Sequence, residues 1–174
     1  SQVHYSNDRG ETWRVVLHAF DLPDGPGYGC GGDVLAFNPS SPDMVALGTA
    51  NGLFLSRDGG QGWAAHGYIG QRFSTIAFST QVKDLFVAGS RSDAGDPGPK
   101  FNVYINDIKQ SNPRPVLSLD DFHVQHIAFD AREHSMIHLA TNRGLFNTWN
   151  RGATFFQRGD LRDRMYPVST IAVD

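Results

Sequence analysis

The sequence predicts an all-β protein, a β-propeller of four-stranded antiparallel blades of which about three and a half are present. Three observations predict it. An octapeptide with a shared pattern occurs three times, its glycines Gly10, Gly60 and Gly152 spaced by 50 and then 92 residues, the second being two periods of 46. Between the octapeptides, short β-branched and aromatic runs recur in a fixed order, bounded by Gly, Pro, Asn and Asp, which is the signature of strands and tight turns. No stretch sustains the i, i+3, i+4, i+7 apolar period of a helix.

The elements follow in chain order. Residues 2–17 read as the last two strands of one blade, joined by Ser6-Asn7-Asp8-Arg9-Gly10-Glu11-Thr12-Trp13. Residues 33–66 read as a full blade. Its first strand is Val34-Leu35-Ala36-Phe37, its second Met44–Thr49 and its third begins at Gly52-Leu53-Phe54; Ser56-Arg57-Asp58-Gly59-Gly60-Gln61-Gly62-Trp63 leads to the fourth. Residues 73–118 repeat the plan through Thr75–Phe78 and Leu85–Ser90. There the octapeptide is lost, because Tyr104-Ile105-Asn106-Asp107 keeps polar turn residues without the glycine. Residues 124–158 form the next full blade, through His126–Phe129, Met136–Thr141, Gly144–Phe146 and Thr148-Trp149-Asn150-Arg151-Gly152-Ala153-Thr154-Phe155. Residues 168–174 carry the first-strand pattern once more, in Thr170-Ile171-Ala172-Val173, and read as the start of another blade.

Composition narrows the function classes. The chain has 174 residues, 40% hydrophobic and 19% charged, enough to bury a core. Glycine supplies 19 residues, an excess that fits many tight turns. A formal charge of −3 gives no field for a polyanion, so no nucleic-acid partner is expected. No apolar run is long enough for a membrane-spanning helix. The single Cys30 excludes an internal disulfide and a paired-cysteine metal site. The sequence starts at Ser1 and reads as a processed chain or a piece of something longer. An arc of this size leaves strand edges to cover; the remaining blades are expected from the same gene product or from another chain.

The octapeptides resemble the Asp-box, or BNR repeat, found in sialidases, xyloglucanase-like glycosidases, sortilin-type receptor domains and photosystem assembly factors. The first two copies match the pattern except at Gly62, where Thr is usual; the third carries Asn150 for Asp and Phe155 for Trp. A propeller of the Trp-Asp type is the rival repeat, but a glycine before an aromatic fits it less well. The resemblance implies that the boxes sit at the blade periphery and are structural: Ser6, Asp8, Gly10 and Trp13; Ser56, Asp58, Gly60 and Trp63; Thr148, Asn150, Gly152 and Phe155. Asp8, Asp58 and Asn150 are suited to accept backbone N–H bonds across the turn. The three glycines suit a positive φ, and the aromatics suit packing between the hairpin and its neighbour. The resemblance also tilts the compartment toward secretion or the cell surface.

The resemblance brings glycosidases forward as the enzyme class to test. The chain has two glutamates, Glu11 in a box and Glu133 in a turn, and neither is placed to activate a tyrosine. Arg164-Met165-Tyr166-Pro167 only superficially matches the sialidase Arg-Ile-Pro motif. Where a xyloglucanase-like enzyme has an aspartate before its third strand, this chain has Asn51-Gly52. Asp33, Asp93, Asp96, Asp120 and Asp121 remain as carboxylates that could converge, with solvated turns as the simpler reading. Gly25–Gly32 lacks the helix and Lys-Ser/Thr of a phosphate loop, and Cys30 lacks a nucleophile's surroundings. Of the seven histidines, His123 and His126 fall on opposite faces by strand parity, so no metal site and no cofactor is expected.

The remaining signal is a long-looped face. The insertion Ser90–Lys100 lengthens the link between the second and third strands of its blade, on the side where residues 18–32, 67–72, 119–123 and 159–167 join the blades. Long loops on a rigid face are where binding concentrates. The candidate contact residues are Tyr28, Arg72, Arg91, Asp96, Arg162 and Tyr166. The function expected is a non-catalytic recognition or scaffold module for a protein or glycan; the alternative is a piece of a glycoside hydrolase, xyloglucanase-like or sialidase-like, whose other catalytic residues lie elsewhere.

Overall fold

A computed structural model describes residues 2–18, 34–50, 52–92, 100–110, 114–120, 122–158 and 167–173. The described residues hold fourteen strands in four antiparallel sheets and no helix. Sheet I pairs β1 (Gln2–Tyr5) with β2 (Arg14–His18). Sheet II runs in chain order through β3 (Leu35–Phe37), β4 (Val45–Thr49), β5 (Gly52–Ser56) and β6 (Ala64–Ala65). Sheet III comprises β7 (Gln71–Phe78), β8 (Leu85–Ser92), β9 (Lys100–Asp107) and β10 (Leu117–Leu119). Sheet IV comprises β11 (Val124–Phe129), β12 (Ile137–Thr141), β13 (Gly144–Thr148) and β14 (Phe156–Gln157).

The sheets stack face to face. Ala36, Ala46 and Leu55 of sheet II meet Ile76, Phe86, Ala88 and Tyr104 of sheet III in one buried cluster. The opposite face of sheet III supplies Val87, Phe101 and Val103 to a second cluster with Ile127, Ile137 and Leu139 of sheet IV. The second strand of each four-stranded sheet is therefore covered on both faces, and β4 and β12 are buried throughout. Such strands read as continuous apolar runs rather than alternating ones.

Close stacking demands small residues at one recurring place. A Cβ on Gly48 of β4 would fall 2.5 Å from Phe73 Cβ on the next sheet. A Cβ on the matching Gly89 of β8 would fall 2.7 Å from Val124 Cβ. Glycine here lets the first strand of the following sheet lean on the second strand of the preceding one.

A side chain at the start of each first-to-second-strand turn in sheets II–IV accepts backbone N–H bonds. Asn38 Oδ1 accepts from Ser40 N at 2.9 Å, Ser79 Oγ from Val82 N at 2.9 Å, and Asp130 Oδ1 from Arg132 N and Glu133 N, both at 2.8 Å. These turns lie beside the third-to-fourth-strand connections at one end of the sheets: Asp43 O accepts from Gly59 N at 2.8 Å and Ser135 O from Arg151 N at 3.0 Å. Sheet III, which lacks the octapeptide, makes this contact from Ile108 N to Asp84 O at 2.8 Å. Asp84 also reaches Lys109 Nζ at 3.1 Å and accepts from Asn38 Nδ2 of sheet II at 3.1 Å.

Val168–Val173 lies along sheet IV, with Val168 N donating to Thr141 O at 2.9 Å and Ile171 N to His126 Nδ1 at 3.3 Å. One expectation is corrected here. The parity argument for His123 and His126 fails, because His123 precedes β11 and the register shifts between Val124 and His126.

Candidate functional site

The end of the sheets opposite the octapeptides is where the inter-sheet links and the second-to-third-strand hairpins open. Sheets II and IV close this hairpin tightly. Thr49 pairs with Gly52 and Thr141 with Gly144, and each threonine hydroxyl donates to its glycine carbonyl, at 2.9 and 2.7 Å. Gly52 and Gly144 have φ of 127° and 102°, values that side chains rarely adopt.

Sheet III does not turn there. Its ladder continues through Arg91↔Phe101 and Ser92↔Lys100, while β7 lengthens to match. The segment expected as an inserted loop from Ser90 to Lys100 is thus a raised hairpin at both its ends. One rung now runs Arg72, Arg91, Phe101, Leu119 across all four strands. The Arg91 guanidinium lies 5.9 Å from the Phe101 ring centroid, within cation–π range. Phe101 is only 6% exposed, because its ring meets His123 at a 3.9 Å centroid separation. His123 is fixed in turn: its N–H donates to Asn142 Oδ1 at 2.7 Å, and Asn142 N returns to His123 O at 3.1 Å.

The other side of the same hairpin is polar. Gln71 Oε1 accepts from Ser90 Oγ at 2.8 Å and from Asn102 Nδ2 at 3.0 Å. Beneath them lies Tyr104, whose phenol pKa is raised by burial. Tyr68, at φ 59°, enters the same core edge-on to Phe73 and Tyr104. Of the six expected contact residues, Arg72 and Arg91 are brought together on one rung; Tyr28, Asp96, Arg162 and Tyr166 lie outside the described residues. The sequence reading missed Gln71, Asn102 and His123. Their only signal was proximity to strand ends whose positions were not yet known.

The octapeptides occupy the far end and are built alike. The hydroxyl at the first position accepts the N–H of the glycine at the fifth, from Gly10 to Ser6 at 2.8 Å, Gly60 to Ser56 at 2.7 Å and Gly152 to Thr148 at 2.9 Å. The same hydroxyl donates to Asp8, Asp58 or Asn150 at 2.7, 2.7 and 2.8 Å. Asp8 Oδ1 accepts from Thr12 N at 2.9 Å, Asp58 Oδ1 from Gln61 N at 3.0 Å and Gly62 N at 2.8 Å, and Asn150 Oδ1 from Thr154 N at 3.0 Å. Positive φ extends over two positions, because Arg9, Gly59 and Arg151 stand at 62°, 71° and 54° before the glycines. Phe155 packs against the cluster between sheets III and IV as expected, but Trp13 does not bury between neighbours. Trp13 is 62% exposed, and the Nε1–H groups of Trp13 and Trp63 fold back to donate to Gly10 O and Gly60 O, each at 3.0 Å.

Among the described residues, the displaced carboxylates are all displaced downward. Asp8 falls to about 2, chiefly through the Thr12 hydroxyl. Asp58 is lowered first by Gly62 N–H, Asp84 by Lys109, Asp130 by Glu133 N–H and Glu133 by Ser135. A general acid at neutral pH needs the opposite displacement. No group of three His, Cys, Asp or Glu side chains among the described residues could hold a metal ion.

The chain superposes on the crystal structure of an ancestral GH74 enzyme with a TM-score of 0.58 and 17% identity, over 90% of this chain and 21% of that one. The fold is that of a β-propeller. Sheets I–IV are its blades, three of them four-stranded and one present as two strands. A GH74 xyloglucanase from Xanthomonas campestris also aligns, at a TM-score of 0.45 and 15% identity, over 89% of this chain and 34% of that one. This propeller segment therefore spans about a fifth and a third of the lengths of those enzymes. No family model and no curated protein matches the sequence.

Proposed function

We propose that the chain is a recognition segment of a glycosidase-type propeller and that it contacts a glycan through the raised hairpin of blade III. The three octapeptides act as Asp-boxes, peripheral and structural, at the opposite end of the blades. The observation that carries the reading is the rung that sets Arg72 opposite Arg91 on the face of Phe101 and His123, with Gln71 and Asn102 bonded on the other face of the hairpin. Two guanidinium groups supply a dense array of N–H donors, matched to the oxygens of a sugar chain. Phe101 and the Gln71 network hold the hairpin's core in place, so binding costs little ordering. The likeness to an ancestral GH74 enzyme supports a glycan over a protein partner. Under this reading a secreted or cell-surface location is expected, and the remaining blades come from the same gene product or from another chain.

Titration with a β-glucan oligosaccharide, followed by amide shifts of residues 71–72, 90–91 and 101–102, tests the proposal. Arg91→Ala is expected to weaken binding about tenfold, the loss of one charge-assisted hydrogen bond. Equal binding by the variant counts against it. The GH74 likeness also favours a second reading, a piece of a glycoside hydrolase with a carboxyl pair roughly 6.5–9.5 Å apart in an inverting enzyme. Release of reducing ends by the purified chain decides for that second reading.

A further inference from the structure

A groove of about 370 Å³ opens on the rim of blade II, with Arg57, Asp58, Gly62, Trp63, Ala64 and Ala65 in its lining. That volume lies toward the lower end of the roughly 300–1,000 Å³ of small-molecule pockets. Its origin is visible by comparing the three octapeptides. In the first and third, the seventh position is a threonine whose hydroxyl engages the outer polar atom of the third-position side chain: Thr12 on Asp8 Oδ2, Thr154 on Asn150 Nδ2. In the second octapeptide that position is Gly62. Asp58 Oδ1 is fully used by Ser56, Gln61 and Gly62, while Asp58 Oδ2 has no hydrogen-bond partner among the described residues.

The next two residues widen the opening. Blade IV carries Phe156 in its outer strand, stacked on Trp149 at 5.5 Å. Blade II has Ala64 and Ala65 in the matching strand. What remains is a half-exposed indole clamped by its bond to Gly60 O, an open carboxylate oxygen and an exposed guanidinium. The ring and the acceptor are held by a turn that is already formed. One positive and one negative group side by side select against a ligand of either net charge.

We propose that this groove binds one uncharged pyranose unit, its apolar face on Trp63, one hydroxyl donating to Asp58 Oδ2 and another oxygen accepting from Arg57. The site is independent of the raised hairpin on blade III. The test is a titration of the chain with cellobiose, read at the Trp63 indole N–H and the Gly62 amide. Saturable shifts are expected with a dissociation constant of about 1–50 mM. Gly62→Thr supplies the hydroxyl that closes Asp58 Oδ2 in the manner of Thr12, and is expected to weaken binding about tenfold without lowering the melting temperature. Ala64→Phe, which imports the blade IV side chain, is expected to remove the shifts. Arg91→Ala is expected to leave them unchanged, so failure of the blade III reading is told apart from failure here. An absence of shifts across that range, or unchanged affinity in both rim variants, overturns the proposal.

Discussion

Asn150 donates its side-chain amide to Thr154 Oγ1 at 2.8 Å, whereas Asp8, at the same place in the first octapeptide, accepts from the Thr12 hydroxyl. The turn is the same and the polarity of one bond is reversed. A hydroxyl rotates to serve either partner, which is why threonine at the seventh position tolerates both Asp and Asn at the third. In this bond the two turns differ in that Asp8 carries a charge.

That charge makes the first and second turns sensitive to acid. Asp8 is held at about 2 against an ordinary 3.8, and Asp58 is also lowered. A carboxylate with a depressed folded-state pKa stabilises the fold above its unfolded value and loses that contribution as pH falls toward the folded one. Melting temperature is therefore expected to fall between pH 3.8 and about 2 through Asp8, with Asp58 adding to the loss below its ordinary value. Asp8→Asn, with Thr12 present to accept as Thr154 does, is expected to flatten part of this fall while changing little at pH 7. A curve parallel to the parent's refutes the assignment.

Gly62→Thr is expected to stabilise. Gly62 is not among the positive-φ glycines, so a side chain meets no backbone penalty. Its Cβ would lie 2.9 Å from Asp58 Oδ2, at the end of a side chain that Thr12 already shows can accommodate it in the first turn. Reduced freedom of the unfolded chain alone contributes about 0.4–1 kcal/mol. Equilibrium urea unfolding reads the change as a higher midpoint at constant slope.

Arg9 and Arg151 occupy the left-handed region at φ 62° and 54°, where the second turn has Gly59 at 71°. Arg151→Gly is expected to raise stability by about 0.5–1 kcal/mol, because the strain removed exceeds the entropy glycine adds. Gly59→Arg is expected to do the reverse. Thermal unfolding of the two variants side by side checks both signs.

Gly48→Ala and Gly89→Ala are expected to cost about 1–3 kcal/mol each through overpacking. The atoms they would strike are Phe73 Cβ and Val124 Cβ, which cannot swing aside as a chain end can. The matching residue of blade IV is Ala140, fully buried with its methyl already accommodated. Ala140→Gly is expected to cost only the glycine penalty of about 0.5–1 kcal/mol. Comparable losses at all three positions would contradict the leaning of successive blades.

The repeat carried most of the architecture, because each blade spends similar residues at similar places: Ala36, Ala77 and Ala128 in the first strands, Gly48, Gly89 and Ala140 in the second. Local hydrogen bonding in the octapeptides was legible for Asp8, Asp58 and Asn150. It was only half legible for Ser6, Ser56 and Thr148, whose recurrence was visible without its cause. The candidate site was harder. Arg72 and Arg91 stand 19 residues apart, and what joins them is a ladder register that a glycine-rich, proline-rich insertion conceals. Trp13 was misplaced for a different reason. An indole has an N–H to satisfy, and a carbonyl three residues back competed better than burial.

The outermost strands of the three complete blades, β6, β10 and β14, are two, three and two residues long. A peripheral ladder that short offers another chain almost no row of free N–H and C=O groups to extend. Each blade thereby ends in a fringe too brief to template a foreign strand. The long ladders of β8 and β9 lie between other strands of their sheet, where only their own neighbours can read them.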